Sequence, residues 1–461
     1  MMKPTIFREY DIRGVADAEL LSDDVELLGQ AFGTYLQRHG GTKITLGRDT
    51  RLSSPRLRDA LIRGLKASGC HVTDLGVVPT PVLYYSVFRL AANGGVMITG
   101  SHNPSEFNGF KVVCGESTIH GESIQQIRRM METGDLEQGS GSEQSADLVT
   151  PYVEEVASQF HFARRIRVVV DAGNGTGGPA MHRILERLNV DASEMFFDMD
   201  GHFPNHHPDP TVPSNLEALI AKVRETGADL GIAFDGDTDR IGAVDDEGTV
   251  LYGDQLMILY AREILTRKPG ATFIGEVKCS QLMYDDLAAR GGNPIMWKTG
   301  HSLIKAKMKE THAELAGEMS GHMFFADRYY GFDDALYAAC RLMEIVAGSP
   351  EPLSRHLADL PRTVTTPEIR FDCPDELKFN VVQLSTAELR ARHKIMDVDG
   401  VRVLFAHGWG LVRASNTQPV LVMRFEATTP ELLAEYRREV ESVVERSKEE
   451  AMKKAGSAEP A

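Results

Sequence analysis

Three times along this chain a short apolar strand runs into a polar loop and then a helix, and this pattern limits the possible folds more than any other feature. Lys43–Leu46 leads into Gly47-Arg48-Asp49-Thr50 and a helix-like run through Leu65. Arg165–Val170 leads into Asp171-Ala172-Gly173-Asn174-Gly175 and a helix around Met181–Leu188. Thr272–Val277 leads into Lys278-Cys279-Ser280 and a helix around Leu282–Ala289. Each helix is followed by another candidate strand. Strands alternating with helices of this length build βαβ units on largely parallel sheets. The repeat is one of pattern rather than identity, and it predicts three related α/β domains.

After about Pro361 the rhythm changes. Strand-like segments Glu368–Phe371, Val401–Phe405, Gly408–Val412 and Val420–Phe425 precede one long amphipathic helix, Pro430–Lys454, with a frayed end at Gly456–Ala461. A chain of 461 residues holds about three or four domains. The expected fold class is α/β: three related mixed-sheet α/β domains at 1–147, 148–250 and 251–361, and a smaller C-terminal α+β domain at 362–461. The Gly/Ser-rich stretch Gln138–Ala146 reads equally as a linker between the first two units or as a surface loop within one.

Fifty basic and 66 acidic side chains give a formal net charge of -16. That balance argues against a nucleic-acid partner, because displacing counterions from phosphates takes a positive surface. Any anionic substrate must then be drawn by local clusters of Arg and Lys. The five cysteines are scattered with no ligand spacing, so they read as reduced core thiols rather than a disulfide frame or a zinc site. The first ten residues lack the apolar run of a signal peptide, and no stretch approaches the ~20 apolar residues of a membrane span. The expectation is a cytoplasmic protein with no membrane partner.

Four segments carry chemistry. Thr99-Gly100-Ser101-His102-Asn103-Pro104 follows the apolar Val96-Met97-Ile98, so Ser101 sits where open α/β sheets place their ligands. A plain turn is the simpler reading of this segment alone, and a serine nucleophile needs a metal or a base. Asp235-Gly236-Asp237-Thr238-Asp239-Arg240 follows Gly231-Ile232-Ala233-Phe234. Its three carboxylates at i, i+2 and i+4 converge on a hard divalent cation. A calcium loop of EF-hand type fails because Arg240 stands where Gly is needed and Asp246 where Glu is needed. Few protein ligands on one face, with an oxygen supplied by phosphate, suits Mg²⁺.

Gly317-Glu318-Met319-Ser320-Gly321-His322 places Glu and Ser two apart. On an extended segment they point the same way and offer an acceptor and a donor to vicinal hydroxyls. His322 is an imidazole that could move a proton. Arg413-Ala414-Ser415-Asn416-Thr417-Gln418-Pro419 combines a guanidinium, two hydroxyls and an amide on a tight turn, the parts of a phosphate clamp. A polar hairpin loop is the plainer alternative.

In this order and at these separations the four segments resemble the α-D-phosphohexomutase superfamily over nearly the whole chain, and within it the bacterial phosphomannomutase/phosphoglucomutase group. Phe7-Arg8-Glu9-Tyr10-Asp11-Ile12-Arg13-Gly14, Phe107-Asn108-Gly109-Phe110-Lys111 and Trp297-Lys298-Thr299-Gly300-His301 support the resemblance. It implies four domains around a central cleft, each giving one segment to it, in a monomer. It implies that Ser101 carries the phosphoryl group and that Mg²⁺ is held by Asp235, Asp237, Asp239 and an oxygen on Ser101. Glu318 and Ser320 would grip sugar hydroxyls, and Arg413, Ser415, Asn416 and Thr417 the distal phosphate. Arg13, Lys111, Arg240 and His322 would surround the reacting oxygens and share proton transfer, Lys111 first among them. Lys278, His301 and Tyr10 would line the same cleft. The implied reaction interconverts hexose 1-phosphate and hexose 6-phosphate of mannose and glucose, with a hexose 1,6-bisphosphate as intermediate and activator. Phosphoglucosamine mutases, which typically show Gln in the third segment and Gly-Thr-Glu in the fourth, are the nearest alternative. Met319 and Asn416-Thr417-Gln418 depart from that pattern. A phosphatase acting through Ser101 is the alternative from another class.

Overall fold

The three strands that head the repeated pattern, Lys43–Arg48, Arg167–Asp171 and Thr272–Glu276, each carry four consecutive buried residues. A strand buried on both faces must lie inside a sheet covered by helices on both sides, and each of the three does. The computed structural model describes residues 2–188, 190–416 and 419–456, which form four sheets in succession along the chain.

In the first, seven-stranded sheet, Lys43–Arg48 runs parallel to His71–Val77 on one side and to Gly94–Ile98 on the other. Phe107–Cys114 then pairs antiparallel with Gly94–Ile98, and Ile12–Val15 antiparallel with Phe107–Cys114. The far edge is Glu143–Ser145, parallel to His71–Val77. Part of the Gly/Ser-rich stretch is therefore sheet, which neither reading of it anticipated. Its three side chains are all exposed, so the hydrophobic alternation that marks a strand is missing.

The second sheet has Arg167–Asp171 between Asp191–Met195 and Leu230–Phe234, all parallel, with Ile241–Asp245 and Val250–Leu251 added antiparallel. The third has Asn293–Trp297, Thr272–Glu276 and Leu315–Gly317 parallel, closed by antiparallel Met323–Phe325. The fourth sheet is antiparallel throughout. The helices Lys378–Arg390 and Pro430–Gly456 accompany it.

The apolar interiors are unequally shared. One continuous core joins the second and third sheets to the helix Thr80–Arg89 of the first. The rest of the first sheet has its own core, and so does the fourth. The fourth sheet meets the third through Trp409 and Leu411 on Val277. There Arg402 donates to the carbonyls of Val277 at 2.6 Å and Cys279 at 2.8 Å, with its guanidinium 3.7 Å from the centre of the Trp409 ring. Burial lowers the pKa of this guanidinium to about 10. Among the described residues no helix is long and apolar enough to cross a membrane.

Candidate active site

Three of the four chemical segments occupy the same place in their sheets, the turn from a buried strand of the parallel set into its antiparallel neighbour. Ser101 lies between Gly94–Ile98 and Phe107–Cys114, the aspartates between Leu230–Phe234 and Ile241–Asp245, and Glu318 between Leu315–Gly317 and Met323–Phe325. The carboxyl ends of parallel strands gather ligand-binding loops, and here three sheets turn those ends toward one cleft.

The serine loop is moulded around Arg51. This guanidinium is 1% exposed and donates to four loop carbonyls: Ser101 at 2.8 Å, Asn103 and Pro104 at 2.5 Å each, and Phe107 at 3.0 Å. Asp49 completes the mould, accepting from Gly100 N–H at 2.9 Å. A Cβ on residue 100 would stand 2.3 Å from Arg51 Nε, so only glycine fits there. Ser101 itself is held at φ +47°, the left-handed region that a non-glycine residue enters at a cost. Its Oγ donates to Asp235 Oδ2 at 2.7 Å and stands 3.1 Å from His102 Nδ1. Burial first, then the nearby Arg240 and Arg13, hold the His102 pKa well below the usual histidine range. Arg13 donates to Asn103 Oδ1 at 2.9 Å and to Asp11 Oδ2 at 2.6 Å.

Asp235, Asp237 and Asp239 are all 0% exposed. Asp235 Oδ1 accepts the backbone N–H groups of Asp239 and Arg240, each at 3.1 Å, which folds the loop back on itself. Asp237 Oδ2 accepts from Thr80 Oγ1 and from Lys111 Nζ, both at 2.7 Å, and Lys111 also donates to Asp239. Burial, then the charges of Asp237 and Asp239, push the Asp235 pKa well up. Burial works against ionisation of Lys111 and Asp237 too, but here the mutual attraction wins. Lys111 is raised by the two carboxylates and Asp237 is lowered by Lys111.

The donor set fits a hard divalent cation. Asp237 Oδ1 and Asp239 Oδ1 are buried with no hydrogen-bond partner. One carboxylate oxygen from each of the three aspartates lies within 4.8 Å of the others. Orphaned buried carboxylate oxygens are costly, and an ion ligated by oxygen relieves that cost. Ser101 Oγ, hydrogen-bonded to Asp235, is within reach of the same point.

The third segment is a turn and not the extended run expected of it. Gly321 takes φ +95° and its N–H donates to Glu318 O at 3.0 Å, so the alternation argument for Glu318 and Ser320 does not apply. Glu318 is nonetheless buried, accepting from Gly300 N–H at 2.7 Å, and Ser320 is half-buried in the same turn. Lys278 Nζ lies 3.3 Å from Glu368 and 3.5 Å from Glu276. His301 stacks over His322 at 5.8 Å, with the Tyr10 ring edge-on to it. His322 accepts from Arg240 Nε at 2.9 Å.

The fourth segment is a hairpin loop between Gly408–Ala414 and Val420–Ala427. Arg413 donates to Asp399 Oδ2 at 2.9 Å, and Ser415 N–H to Val420 O at 3.0 Å. Asn416 donates to the Tyr10 hydroxyl, which itself donates to Thr299 O at 2.7 Å. Thr417 lies outside the described residues.

Four models cover the chain in order. The α/β/α domains I, II and III of phosphoglucomutase/phosphomannomutase match residues 4–138, 150–248 and 252–364, and the C-terminal domain matches 368–443. The chain belongs to the phosphoglucomutase/phosphomannomutase family. Within the family it is 46% identical over 430 residues to a phosphomannomutase/phosphoglucomutase of Pseudomonas aeruginosa, covering 93% of each chain. It is 42% identical over 447 residues to a phosphoglucomutase of Neisseria gonorrhoeae, covering 95% of this chain and 96% of that one. A solved family structure from Burkholderia thailandensis superposes with a TM-score of 0.91 at 42% identity, covering 97% of this chain and 98% of that one. An N-acetylphosphoglucosamine mutase of Aspergillus fumigatus shares the fold at a TM-score of 0.64 and 14% identity, over 97% of each chain.

Several family-site neighbours were not legible in the sequence. Glu276, 0% exposed, accepts from Met319 N–H at 3.1 Å and from Thr299 Oγ1. Asp399 holds Arg413, Arg51 moulds the serine loop, and Lys305 with Asp333 backs His322. Glu276 has a usable signal, since it ends a buried strand two residues before Lys278. The others stand in ordinary local contexts.

Proposed function

We propose that the chain is a phosphohexomutase. It interconverts the 1- and 6-phosphates of mannose and glucose through phosphorylated Ser101 and a hexose 1,6-bisphosphate. The observation that carries this reading is Ser101 Oγ at 2.7 Å from Asp235, inside a buried triad of aspartates that also holds Lys111. A relationship of 46% identity to enzymes bearing both activity names supports it. The four units, taken at 1–147, 148–250, 251–361 and 362–461, each supply one wall.

Mg²⁺ held by Asp235, Asp237 and Asp239 with an oxygen on Ser101 would offset the charge of about -1.5 to -2 on a phosphoserine and polarise its phosphoryl group. Arg13 and Arg240 flank the same group and stabilise charge that develops on its oxygens. Lys111 manages the proton of the sugar hydroxyl that takes or releases the phosphoryl group, a role worth ~10²–10⁴-fold. Glu318 and Ser320 hold sugar hydroxyls, Lys278 and His301 line their surroundings, and Arg413, Ser415, Asn416 and Thr417 bind the phosphate that is not reacting. The Tyr10–Asn416 contact closes the fourth domain over the cleft and keeps water from the phosphoserine.

Phosphorus NMR with Mg²⁺ and a trace of glucose 1,6-bisphosphate tests this. Glucose 1-phosphate and mannose 1-phosphate are expected to become 6-phosphates, with glucosamine 1-phosphate slow. Fast glucosamine 1-phosphate conversion would move the assignment to phosphoglucosamine mutase. Release of inorganic phosphate alone would make the protein a phosphatase.

A further inference from the structure

The helix Thr80–Arg89 belongs to the first domain, yet its residues 80–87 are all buried. A helix buried on every side has its place set by what surrounds it. Tyr85 lies edge-on to Tyr152 of the second domain at 5.6 Å between ring centres, and Tyr84 packs on Phe332 of the third at 5.5 Å. The first residue of the helix, Thr80, is 0% exposed and meets the metal loop twice. Its N–H donates to the Asp237 carbonyl at 2.9 Å, and its hydroxyl donates to Asp237 Oδ2 at 2.7 Å.

The two oxygens of a carboxylate exchange places when the group turns about its last bond, so something must decide which of them is left for a cation. Lys111 also donates to Oδ2 at 2.7 Å but cannot decide alone. Its ammonium has three donors on a flexible stem and reaches Asp239 as well. Thr80 can decide. Its branched side chain is stiff at χ1, and its backbone is tied to the backbone of Asp237, so its hydroxyl keeps one position relative to that carboxylate. Oδ2 is thereby occupied by two donors, and Oδ1 is left buried with no hydrogen-bond partner. The rest of the loop is held from the other two domains. Thr238, at φ +65°, has its hydroxyl 3.0 Å from Thr176 Oγ1 of the second, and its carbonyl accepts from Ala335 N–H of the third at 3.4 Å.

We propose that Thr80 is a positioning residue for the metal site. Its hydroxyl fixes which oxygen of Asp237 is offered to Mg²⁺, and so places one determinant of metal affinity in the first domain, outside the aspartate loop. The hydroxyl acts only through Asp237. Without it the carboxylate follows the flexible ammonium, and a two-oxygen pairing with Lys111 takes Oδ1 away from the cation. This deepens the mutase reading above and rests on its metal triad.

Binding of Mn²⁺, whose free form gives an electron paramagnetic resonance signal, tests this without turnover. Native protein and variants are titrated at matched Ser101 phosphorylation, and the site is assigned to the triad by loss of binding in Asp239→Asn. Binding that survives that substitution would lie elsewhere and overturn the proposal. Thr80→Val is expected to weaken Mn²⁺ binding about tenfold, and Thr80→Ser, which keeps the hydroxyl, to stay within about twofold of native. Tyr85→Phe is the control for the seating of the helix. It removes the 2.9 Å bond from Tyr85 to Glu155 Oε2 and leaves Thr80 untouched, so native affinity is expected. Unchanged affinity in Thr80→Val overturns the proposal. So does an equal loss in Thr80→Ser, which would make the hydroxyl irrelevant, or in Tyr85→Phe, which would make helix seating the cause. Kinetics supply the second arm. Thr80→Val is expected to lose activity at limiting Mg²⁺ and to recover to within about threefold of the native kcat in excess Mg²⁺. A loss that excess Mg²⁺ leaves in place overturns the proposal too. A native protein that binds Mn²⁺ at the triad but converts no hexose phosphate would sink the mutase reading, while the role of Thr80 would still be read from the titrations.

Discussion

Around Ser101 four loop carbonyls are pinned by the single guanidinium of Arg51, and the aspartates opposite are wholly buried and bonded to Lys111, Thr80 and Ser101 itself. Among the described residues of the hairpin around Arg413, the guanidinium donates to Asp399 and Asn416 donates to Tyr10. The first region is carried by sheets whose strands and helices share a core, the second by a domain with a separate core and a narrow seam on Val277. The contrast separates two demands. Phosphoryl transfer depends on charges placed before the substrate arrives, and holding a distal phosphate in two sugar orientations depends on a wall that can open and close.

The comparison breaks most visibly at the nucleophile. Ser101→Ala is expected to lower kcat by about 10⁴-fold or more in a coupled hexose-phosphate assay, with no phosphoserine by mass spectrometry. Asp237→Asn removes one orphaned oxygen site and half the hold on Lys111. A loss of about 10²–10³-fold in kcat is expected, with a higher Mg²⁺ requirement in a metal titration. Arg413→Ala probes the other region. Loss of charge-assisted bonds worth about 1.5–3 kcal/mol each is expected to raise KM roughly 10–100-fold. Phosphorylation of Ser101 by saturating glucose 1,6-bisphosphate should stay near native, and equal loss of both would erase the distinction between the two regions.

The smallest expected effect concerns a buried acid behind the reaction end. Asp334 caps the helix Ala335–Gly348, accepting from Tyr337 N–H at 2.9 Å and from Tyr152 and Tyr329 hydroxyls at 2.8 Å and 2.7 Å. Burial pushes its pKa up to about 6. Between about pH 4 and 6 the folded chain therefore holds a proton that the unfolded chain has released, so stability falls as pH rises through that window. The change is worth roughly 2–3 kcal/mol. Urea midpoints at pH 4, 6 and 8 are expected to show this extra slope in the native protein and to lose it in Asp334→Asn.

The repeated strand–loop–helix pattern revealed the first three sheets because buried parallel strands are apolar along their length and end in loops rich in Gly, Asp and Ser. The serine and aspartate loops were legible because their residues are adjacent in the chain and chemically unusual together. Glu143–Ser145 escaped because an exposed edge strand needs no apolar face. The argument that aligned Ser320 with Glu318 assumed an extended segment, and the segment is a turn closed at Gly321. Arg51, Asp333 and Lys305 stayed hidden for a different reason. Each acts on a partner distant in sequence, as Arg51 does on Ser101 and Lys305 on Asp333, and local context gives no sign of the pairing.

The Tyr10 hydroxyl belongs to the first domain, donates to a carbonyl of the third and accepts from Asn416 of the fourth. Its proton and one of its lone pairs are thus spent on holding three domains together. Removing that oxygen, in Tyr10→Phe, leaves every group around Ser101 in place and loosens only the outer wall. On the proposed mechanism, a half-finished bisphosphate would then leave before its second transfer, and the variant would have to recapture its intermediate from solution. Dilution would slow such a variant far more than the native protein, and added bisphosphate would restore it.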